Sequence, residues 1–369
     1  MRFVLVAICS IILLTTLFPV KGHAAPQVSA NHAVLMEQST GRVLFEKQAY
    51  SKANIASITK IMTAIIAIES GKMHEKAKAS RKAIYTEGSS IYLEEGEKMR
   101  LKDLVYGLML RSGNDAAVAI SEHVGGSEAG FVYLMNEKAS WLGMNDTNFA
   151  NPHGLDEEGH YSTAYDMATL MRYAMKNPTF QKVTGATSYL AETRIYSWQN
   201  KNKLLTQYYD HSTGGKTGYT KQTGRTLVST AEKDDMNLIA VTLNAPDDWR
   251  DHITMFEWGF EEYNIETLTK PKRLAYRLPE SNEVYTAYID KAIQYPLTKQ
   301  EKSKVSNQLF IDETISDNNI IGKNIFYLNG KAIATTNVLN EAPKSVNKKL
   351  FSSNIYQLFK YISGVDVLW

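Results

Sequence analysis

The 369-residue sequence predicts an α+β fold: one antiparallel sheet with helices packed against it, followed by a small all-β domain. Three observations predict it. Strand patterns open the chain, at Ala33-Val34-Leu35-Met36-Glu37 and Arg42-Val43-Leu44-Phe45-Glu46, and return at Thr226–Ala231 and Leu238–Leu243. Between them, apolar residues recur at helical spacing. From about Thr267 onward, short strand-like segments such as Val284–Tyr288 and Ile325–Leu328 alternate with turns such as Asn329-Gly330.

The first element is not part of the fold. Arg2, the apolar run Phe3 to Phe18, the breaker Pro19 and the small residues Gly22-His23-Ala24 have the layout of an export signal over residues 1–24, cut at Ala24/Ala25. The run is short for a bilayer span. Arg2 and Lys21 lie in it, so the remainder carries 39 basic and 39 acidic residues and offers no electrostatic case for nucleic acid. Cys9, the single cysteine, lies in it too. Disulfides, thiol catalysis and cysteine-held metals are thereby excluded for the mature chain.

The first two strands flank Gln38-Ser39-Thr40-Gly41 and read as a hairpin. Ala53 to Ala64 follows, with Ile61, Ala64, Ile65 and Ile68 at helical spacing and Gly71 placed to end the helix. Residues 75 to 100 are polar and carry no strong period. Leu101, Leu104, Val105, Leu108 and Met109 predict a buried helix over Lys102 to Leu110, with further helices at Asp115–His123, Phe131–Leu142 and Ala164–Met175. His252 to Tyr263 predicts a closing helix. Domains are expected at 25–265 and 266–343. In 344–369, Phe351, Ile355, Leu358, Ile362, Val365 and Trp369 recur at i+4 and i+3 steps near Lys344, Lys348, Lys349 and Lys360. That pattern predicts an amphipathic helix on an anionic membrane surface.

Three short motifs carry chemistry. Ser57 and Lys60 in Ser57-Ile58-Thr59-Lys60 share a helix face, where an amine can take the serine's proton. Alone the pattern is weak, because serine is a common N-cap; Ser345-Val346-Asn347-Lys348 also matches and has no apolar helix behind it. Ser112-Gly113-Asn114 lies in a tight interhelical link, where a hydroxyl can relay protons and an amide can hold a carbonyl. Lys216-Thr217-Gly218 leads into the strand pair and can meet an anion, its glycine allowing close approach of a substrate backbone. A phosphate loop at Gly214–Thr217 fails, since Asp210 stands where a glycine is needed and a strand follows. His153 and His160 occupy a turn-rich loop without a third ligand at metal spacing, so no metal is expected and both histidines are read as structuring that loop.

The order Ser-x-x-Lys, Ser-x-Asn, Lys-Thr-Gly is the set shared by penicillin-recognising serine enzymes. With Asn151-Pro152-His153-Gly154-Leu155, Asn200-Lys201-Asn202-Lys203-Leu204-Leu205 and Gly214–Thr220, the chain resembles the D-alanyl-D-alanine carboxypeptidases, the low-molecular-mass penicillin-binding proteins, from about Asn31 to Tyr263. Gly107–Arg111 and Glu122–Gly126 are similar to the sporulation carboxypeptidase of endospore formers. The resemblance implies a β-lactamase/penicillin-binding transpeptidase-like fold. It also implies removal of the terminal D-alanine from peptidoglycan pentapeptide stems, with no cofactor, through an acyl-enzyme on Ser57. Lys60 is then the base, its pKa lowered by burial beside Lys216, and Ser112 the proton relay. Asn114, Lys216, Thr217 and Gly218 bind substrate, and backbone N–H groups of Ser57 and of the strand after Lys216 form the oxyanion hole.

Arg225 and Arg250 are both candidates to assist the substrate carboxylate, and Tyr219 stands where relatives often carry histidine. The resemblance further implies β-lactams as covalent inhibitors, a role in wall maturation with a spore-cortex variant, and a place at the outer face of the cytoplasmic membrane, with forespore association. A β-lactam sensor that acylates without turnover and a DD-endopeptidase are the rival readings. Rapid β-lactam hydrolysis is disfavoured, because Glu157 and Glu158 lack the surroundings of a deacylating glutamate.

Overall fold

The computed structural model describes residues 24–277, 283–311 and 319–342. The expected export signal up to His23, the terminal helix 344–369 and Ser345–Lys348 lie outside the described residues. The chain divides into two compact units, Met1–Asn264 and Ile265–Trp369.

The first unit is built on a five-stranded antiparallel sheet. Its strands are β1 (His32–Glu37), β2 (Val43–Lys47), β7 (Ser212–Thr220), β8 (Gly224–Lys233) and β9 (Met236–Leu243), in the order β2-β1-β9-β8-β7. β1 is buried at five consecutive positions because helices cover both faces. Val34, Met36, Val228, Ile239 and Val241 face the helical core. Leu35 and Leu238 face the closing helix α8 (Asp248–Glu262), which comes close enough that a Cβ on Gly259 would lie 2.8 Å from Leu35.

Register decides where one polar residue goes. Lys216 pairs with Val228, Val228 with Val241, and Val241 with Val34, so all four stand in one row across the sheet. Side chains along such a row share a face. The Lys216 amine is thereby carried into the apolar core rather than out to water.

At the centre of the helical layer is α1 (Lys60–Glu69), buried from Lys60 to Ile68 and preceded by a 3-10 turn, Ala56–Thr59. A helix buried on every side needs other helices all round. These are α3 (Leu101–Tyr106), α4 (Asn114–Gly125), α5 (Glu128–Trp141) and α6 (Ala164–Ala174), with α7 (Pro178–Thr184) alongside. Gly71 at φ +75 ends the α1 segment as expected.

The helix expected over Lys102–Leu110 is shorter. After Tyr106 it widens into a π-helical turn, Gly107–Arg111, closed by Ser112 in the left-handed region at φ 63. Widening lets the Ser112 N–H reach the Gly107 carbonyl as the chain reverses direction.

The polar stretch 75 to 100 holds a ribbon, β3 (Lys76–Lys78) with β4 (Lys98–Arg100), and a one-turn helix, α2 (Arg81–Ile84). Each ribbon strand buries a single residue, Ala77 or Met99, too little for a readable period. A second ribbon pairs β5 (Ser188–Tyr189) with β6 (Trp198–Gln199). The sequence reading passed over α7, whose start is marked by Pro178 and by Asn177 accepting from the Thr179 and Phe180 N–H groups.

The second unit contains a five-stranded sheet in the order β11-β12-β16-β15-β14, from β11 (Lys272–Tyr276), β12 (Tyr285–Ile289), β14 (Val305–Ile311), β15 (Ile320–Leu328) and β16 (Lys331–Leu339). Beside it β10 (Tyr263–Thr269) pairs with β13 (Ile293–Thr298). Asn329 and Gly330, both at positive φ, turn β15 into β16 as a two-residue hairpin. Ala287, Ile289, Ile321 and Val338 form its small core. Among the described residues the one exception to an all-β description is α9 (Lys299–Lys302), opened by a Thr298–Glu301 capping box.

α8 is tied to the sheet through His252, buried between the hydroxyls of Ser229 (2.5 Å) and Thr242 (3.0 Å). Burial holds its pKa down to about 3, and burial likewise lowers His153 to about 3 and His160 to about 4. Unfolded histidines titrate near 6.5. Between those limits the unfolded chain takes up protons that the folded chain refuses, so stability is full above pH 6.5 and falls as pH drops. Each such histidine contributes a slope of about 1.4 kcal/mol per pH unit. Urea unfolding between pH 7 and pH 4.5 should show this decline, and His252→Asn should reduce its slope by the equivalent of about one proton; an unchanged slope contradicts the assignment.

Candidate active site

Ser57 stands on the 3-10 turn before α1, and the turn is strained: Ala56 has φ +48, unusual for a residue with a side chain. Three contacts hold it. Thr226 Oγ1 donates to the Ile55 carbonyl at 3.0 Å, and Thr59 Oγ1 donates to the Ala56 carbonyl at 2.8 Å. Gly154, at φ +86, backs the turn so closely that a Cβ there would lie 2.0 Å from the Ala56 carbonyl oxygen.

His160 completes the brace. Its Nδ1 accepts from the Ala150 N–H at 3.0 Å, so the ring proton sits on Nε2 and is donated to Thr59 Oγ1 at 2.8 Å. His153 contributes its backbone carbonyl to Lys60. Both histidines therefore structure the loop.

Lys60 Nζ lies 3.0 Å from Ser57 Oγ, 2.7 Å from Asn114 Oδ1 and 2.5 Å from the His153 carbonyl. The orientation of the Asn114 amide is fixed, because its Nδ2 donates to the Glu87 carbonyl. Asn114 Oδ1 and the His153 carbonyl can only accept. A neutral amine has two hydrogens and one lone pair; the two carbonyls take the hydrogens and the lone pair is left facing Ser57 Oγ–H. Burial, then the charges of Lys216 and Lys201, hold the Lys60 pKa well below the ordinary lysine value, which favours that neutral form.

Lys216 Nζ donates to Ser112 Oγ at 3.0 Å and to the Thr217 carbonyl at 2.7 Å. Burial, then the charge of Lys201, lowers its pKa to about 7. The left-handed backbone of Ser112 turns its hydroxyl from the end of the π turn toward this amine.

Lys201 itself was assigned no role from the sequence. Its Nζ donates to Ser89 Oγ at 3.1 Å, and burial, then the charge of Arg111, lowers its pKa too. The sequence marked it only as part of the Asn200–Leu205 stretch; its place at the site comes from proximity across the fold. Asp115 was also missed: its carboxylate accepts from Ser90 Oγ and from the Ile91, Leu93 and Ala116 N–H groups, fixing the loop that carries Ser89.

These groups meet at a cleft of about 310 Å³ lined by Ser57, Ser112, Thr217 and Gly218, with the exposed Tyr219 at its rim. All seven site residues expected from the sequence, Ser57, Lys60, Ser112, Asn114, Lys216, Thr217 and Gly218, converge here. A Cβ on Gly218 would lie 2.4 Å from Thr226 Oγ1 and 2.9 Å from the Ser57 nitrogen, so β7 passes close to the backbone of the Ser57 turn.

Arg225 lines the cleft, its Nε and Nη2 donating to Asp248 Oδ1 at 2.9 and 2.5 Å and its guanidinium 5.5 Å from the Trp249 ring centre; Arg250 is exposed and does not line it. Among the described residues, no three His, Cys, Asp or Glu side chains stand together as a metal site. Chemically, the arrangement can offer a hydroxyl beside an amine whose neutral form is favoured, a second amine–hydroxyl pair, and cationic groups able to hold an anion.

Comparison with known proteins bears on this chemistry. Residues 20–247 match the D-alanyl-D-alanine carboxypeptidase family of peptidases. The chain is similar to the D-alanyl-D-alanine carboxypeptidase DacF of Bacillus subtilis, with 41% identity over 65% of this chain and 64% of that protein, just under two thirds of its length. It is 30% identical to the DacA carboxypeptidase of Haemophilus influenzae over 86% of both chains. Penicillin-binding protein 5 of Haemophilus influenzae superposes with a TM-score of 0.76 at 27% identity, covering 87% of this chain and 99% of that one.

The Gly218 contact yields a test. Gly218→Ala should separate β7 from the Ser57 turn and slow acylation of Ser57 by a penicillin at least about tenfold, or ~1.4 kcal/mol of barrier. The measurement is the second-order rate of adduct formation by mass spectrometry, and a rate equal to that of the unaltered protein contradicts this use of the glycine.

Proposed function

The chain belongs to the D-alanyl-D-alanine carboxypeptidase family of serine peptidases, and from that premise we propose that it removes the terminal D-alanine from peptidoglycan stem peptides through an acyl-enzyme on Ser57. The observation that carries the reading is the arrangement around the Lys60 amine, with two carbonyls to take its hydrogens and Ser57 Oγ 3.0 Å from its nitrogen.

In the proposed reaction Lys60 takes the Ser57 proton as Oγ attacks the carbonyl between the two D-alanines. The Ser57 N–H and one from β7 hold the developing oxyanion; the close passage of Gly218 past the Ser57 nitrogen supports that pairing. The C–N bond breaks and the amine of D-alanine takes a proton relayed through Ser112, with Lys216 behind it. Water then adds to the ester, returning the proton to Ser57 and releasing the shortened stem. Asn114 orients the acyl half, and Lys216, Thr217 and Gly218 receive the terminal residue. Arg225 is the arginine placed to assist its carboxylate.

A β-lactam presents the same amide in a ring and acylates Ser57 in the same way. The proposed substrate lies outside the cytoplasm, a reading supported by the export signal expected at 1–24 and consistent with the membrane-surface helix expected over 344–369. Among the described residues no helix is long and apolar enough to cross a membrane. A sporulating, forespore-associated setting is the finer reading, and it rests on the likeness of Gly107–Arg111 and Glu122–Gly126 to the sporulation carboxypeptidase of endospore formers.

The test is D-alanine release from a synthetic peptide ending in D-Ala-D-Ala, run beside mass spectrometry after penicillin. Ser57→Ala should abolish the adduct and cut release by a factor of about 10⁴ or more, and Lys60→Met should slow acylation by roughly 10²–10⁴. An adduct surviving Ser57→Ala sinks the nucleophile assignment. A stable adduct without any D-alanine release makes the protein a β-lactam sensor.

A further inference from the structure

The β3–β4 ribbon gathers positive charge by its register. Lys76 pairs with Arg100, Ala77 with Met99 and Lys78 with Lys98. Ala77 and Met99 are buried, so the other two pairs share the outer face, and all four cations are exposed. Neighbours on this face stand roughly 7 Å apart along a strand and roughly 5 Å apart across it. Arg100 is engaged: its Nε and Nη2 meet the two oxygens of Glu192 at 2.9 and 3.0 Å. Lys76, Lys78 and Lys98 pair with no carboxylate among the described residues.

Neither composition nor ribbon stability accounts for the cluster. Residues 25–369 carry 39 basic and 39 acidic residues, so the excess is local. Like charges directly opposite each other destabilise a ribbon, and Lys78 stands opposite Lys98. The acids close in sequence are aimed elsewhere. Glu75 Oε2 lies 3.0 Å from His123 Nε2, and Glu97 Oε1 lies 2.6 Å from Arg194 Nη1. Glu94 and Glu95, in the loop before β4, are exposed and pair with none of the three lysines. Lys102 adds an exposed cation in the first turn of α3, where the helix dipole disfavours one.

The face carries charge and nothing else. It has no aromatic ring on which a nucleic-acid base could stack, and no large apolar side chain to enter a bilayer. Flexible ammonium groups in such an array suit a chain that presents one negative charge per repeat and has no other feature to read. We propose that the outer face of the β3–β4 ribbon binds a linear polyanion, a polymer of small alcohols joined by phosphodiesters. Such a polymer repeats its charge at a distance close to the step from Lys76 to Lys78. Binding exchanges its counterions for lysines and is therefore steeply salt-dependent. The binding is independent of the acyl-enzyme reading. β4 runs into α3 and the π turn that ends at Ser112, so the polymer is held on the unit that carries the cleft, by residues that take no part in it.

The probe is poly(glycerol phosphate), titrated against the chain from residue 25 onward at about 50 mM and about 200 mM salt. The triple variant Lys76→Gln, Lys78→Gln, Lys98→Gln should weaken binding at least about tenfold at the lower salt. It should also reduce the slope of log K against log salt by about 2, as expected for three lost phosphate contacts. Arginine at the same three positions should keep both. The control triple Lys304→Gln, Lys323→Gln, Lys331→Gln removes equal charge from exposed positions of the second unit and should change binding less than about twofold. Equal weakening by the two glutamine triples overturns the proposal, as does an absence of binding at the lower salt. A ribbon triple that keeps the polymer but loses phosphatidylglycerol vesicles also overturns it, and assigns the face to a membrane.

Discussion

Two lysine amines buried in one apolar layer repel each other, and much of the first unit is arranged around that repulsion. Lys60 begins a helix that water does not reach, and the sheet register turns Lys216 into the same layer. Each charge disfavours the other, and burial disfavours both. The resolution lies in the acceptors. Lys60 has the Asn114 and His153 carbonyls; Lys216 has the Ser112 hydroxyl and the Thr217 carbonyl. None of these is a carboxylate, so no acceptor that Lys60 or Lys216 meets would restore a high amine pKa. The same environment that makes the amines costly to bury favours the neutral form of Lys60, whose lone pair faces Ser57.

That arrangement asks for rigid supports, and they come from backbone positions that tolerate little change. Ala56 and Ser112, one on each side of the site, both occupy the left-handed region. Gly154 seats the loop against the first. Asp115, accepting from three backbone N–H groups and the Ser90 hydroxyl, holds the segment beside the second. Strain of roughly 1–3 kcal/mol at such residues persists only where neighbours over-determine it.

How much of this the sequence disclosed follows from range. Ser57 and Lys60 are three residues apart, so their meeting is a property of one helical turn and legible as such. The strand-forming runs of β1, β8 and β9, and the helical spacing in α1, α4 and α6, are equally local. The Asn329-Gly330 turn needed only two residues to announce itself. Lys201, by contrast, belongs to the site because a loop brings it beside Ser89, 112 positions earlier. The π turn at Gly107–Arg111 was hidden for another reason: its apolar spacing fits an ordinary helix, and the deviation is set by the reversal at Ser112. The β3–β4 ribbon buries one residue per strand and leaves no pattern to find.

Lys216 has one more consequence, which concerns solubility. β7 ends the sheet, so its outer backbone groups form an open edge, the kind of surface on which another chain can add and start aggregation. Proteins that must keep such an edge blunt it with inward-pointing charges and irregular register. β7 has both: a lysine turned inward at 216 and a break in pairing between Ser212 and Gly214. An edge proposed to stay open to an extended peptide is thus guarded against its own kind by the residue proposed to receive that peptide's carboxylate. Replacing the lysine with an apolar residue of similar length would remove both functions together, leaving a sheet edge free to pair with a second copy.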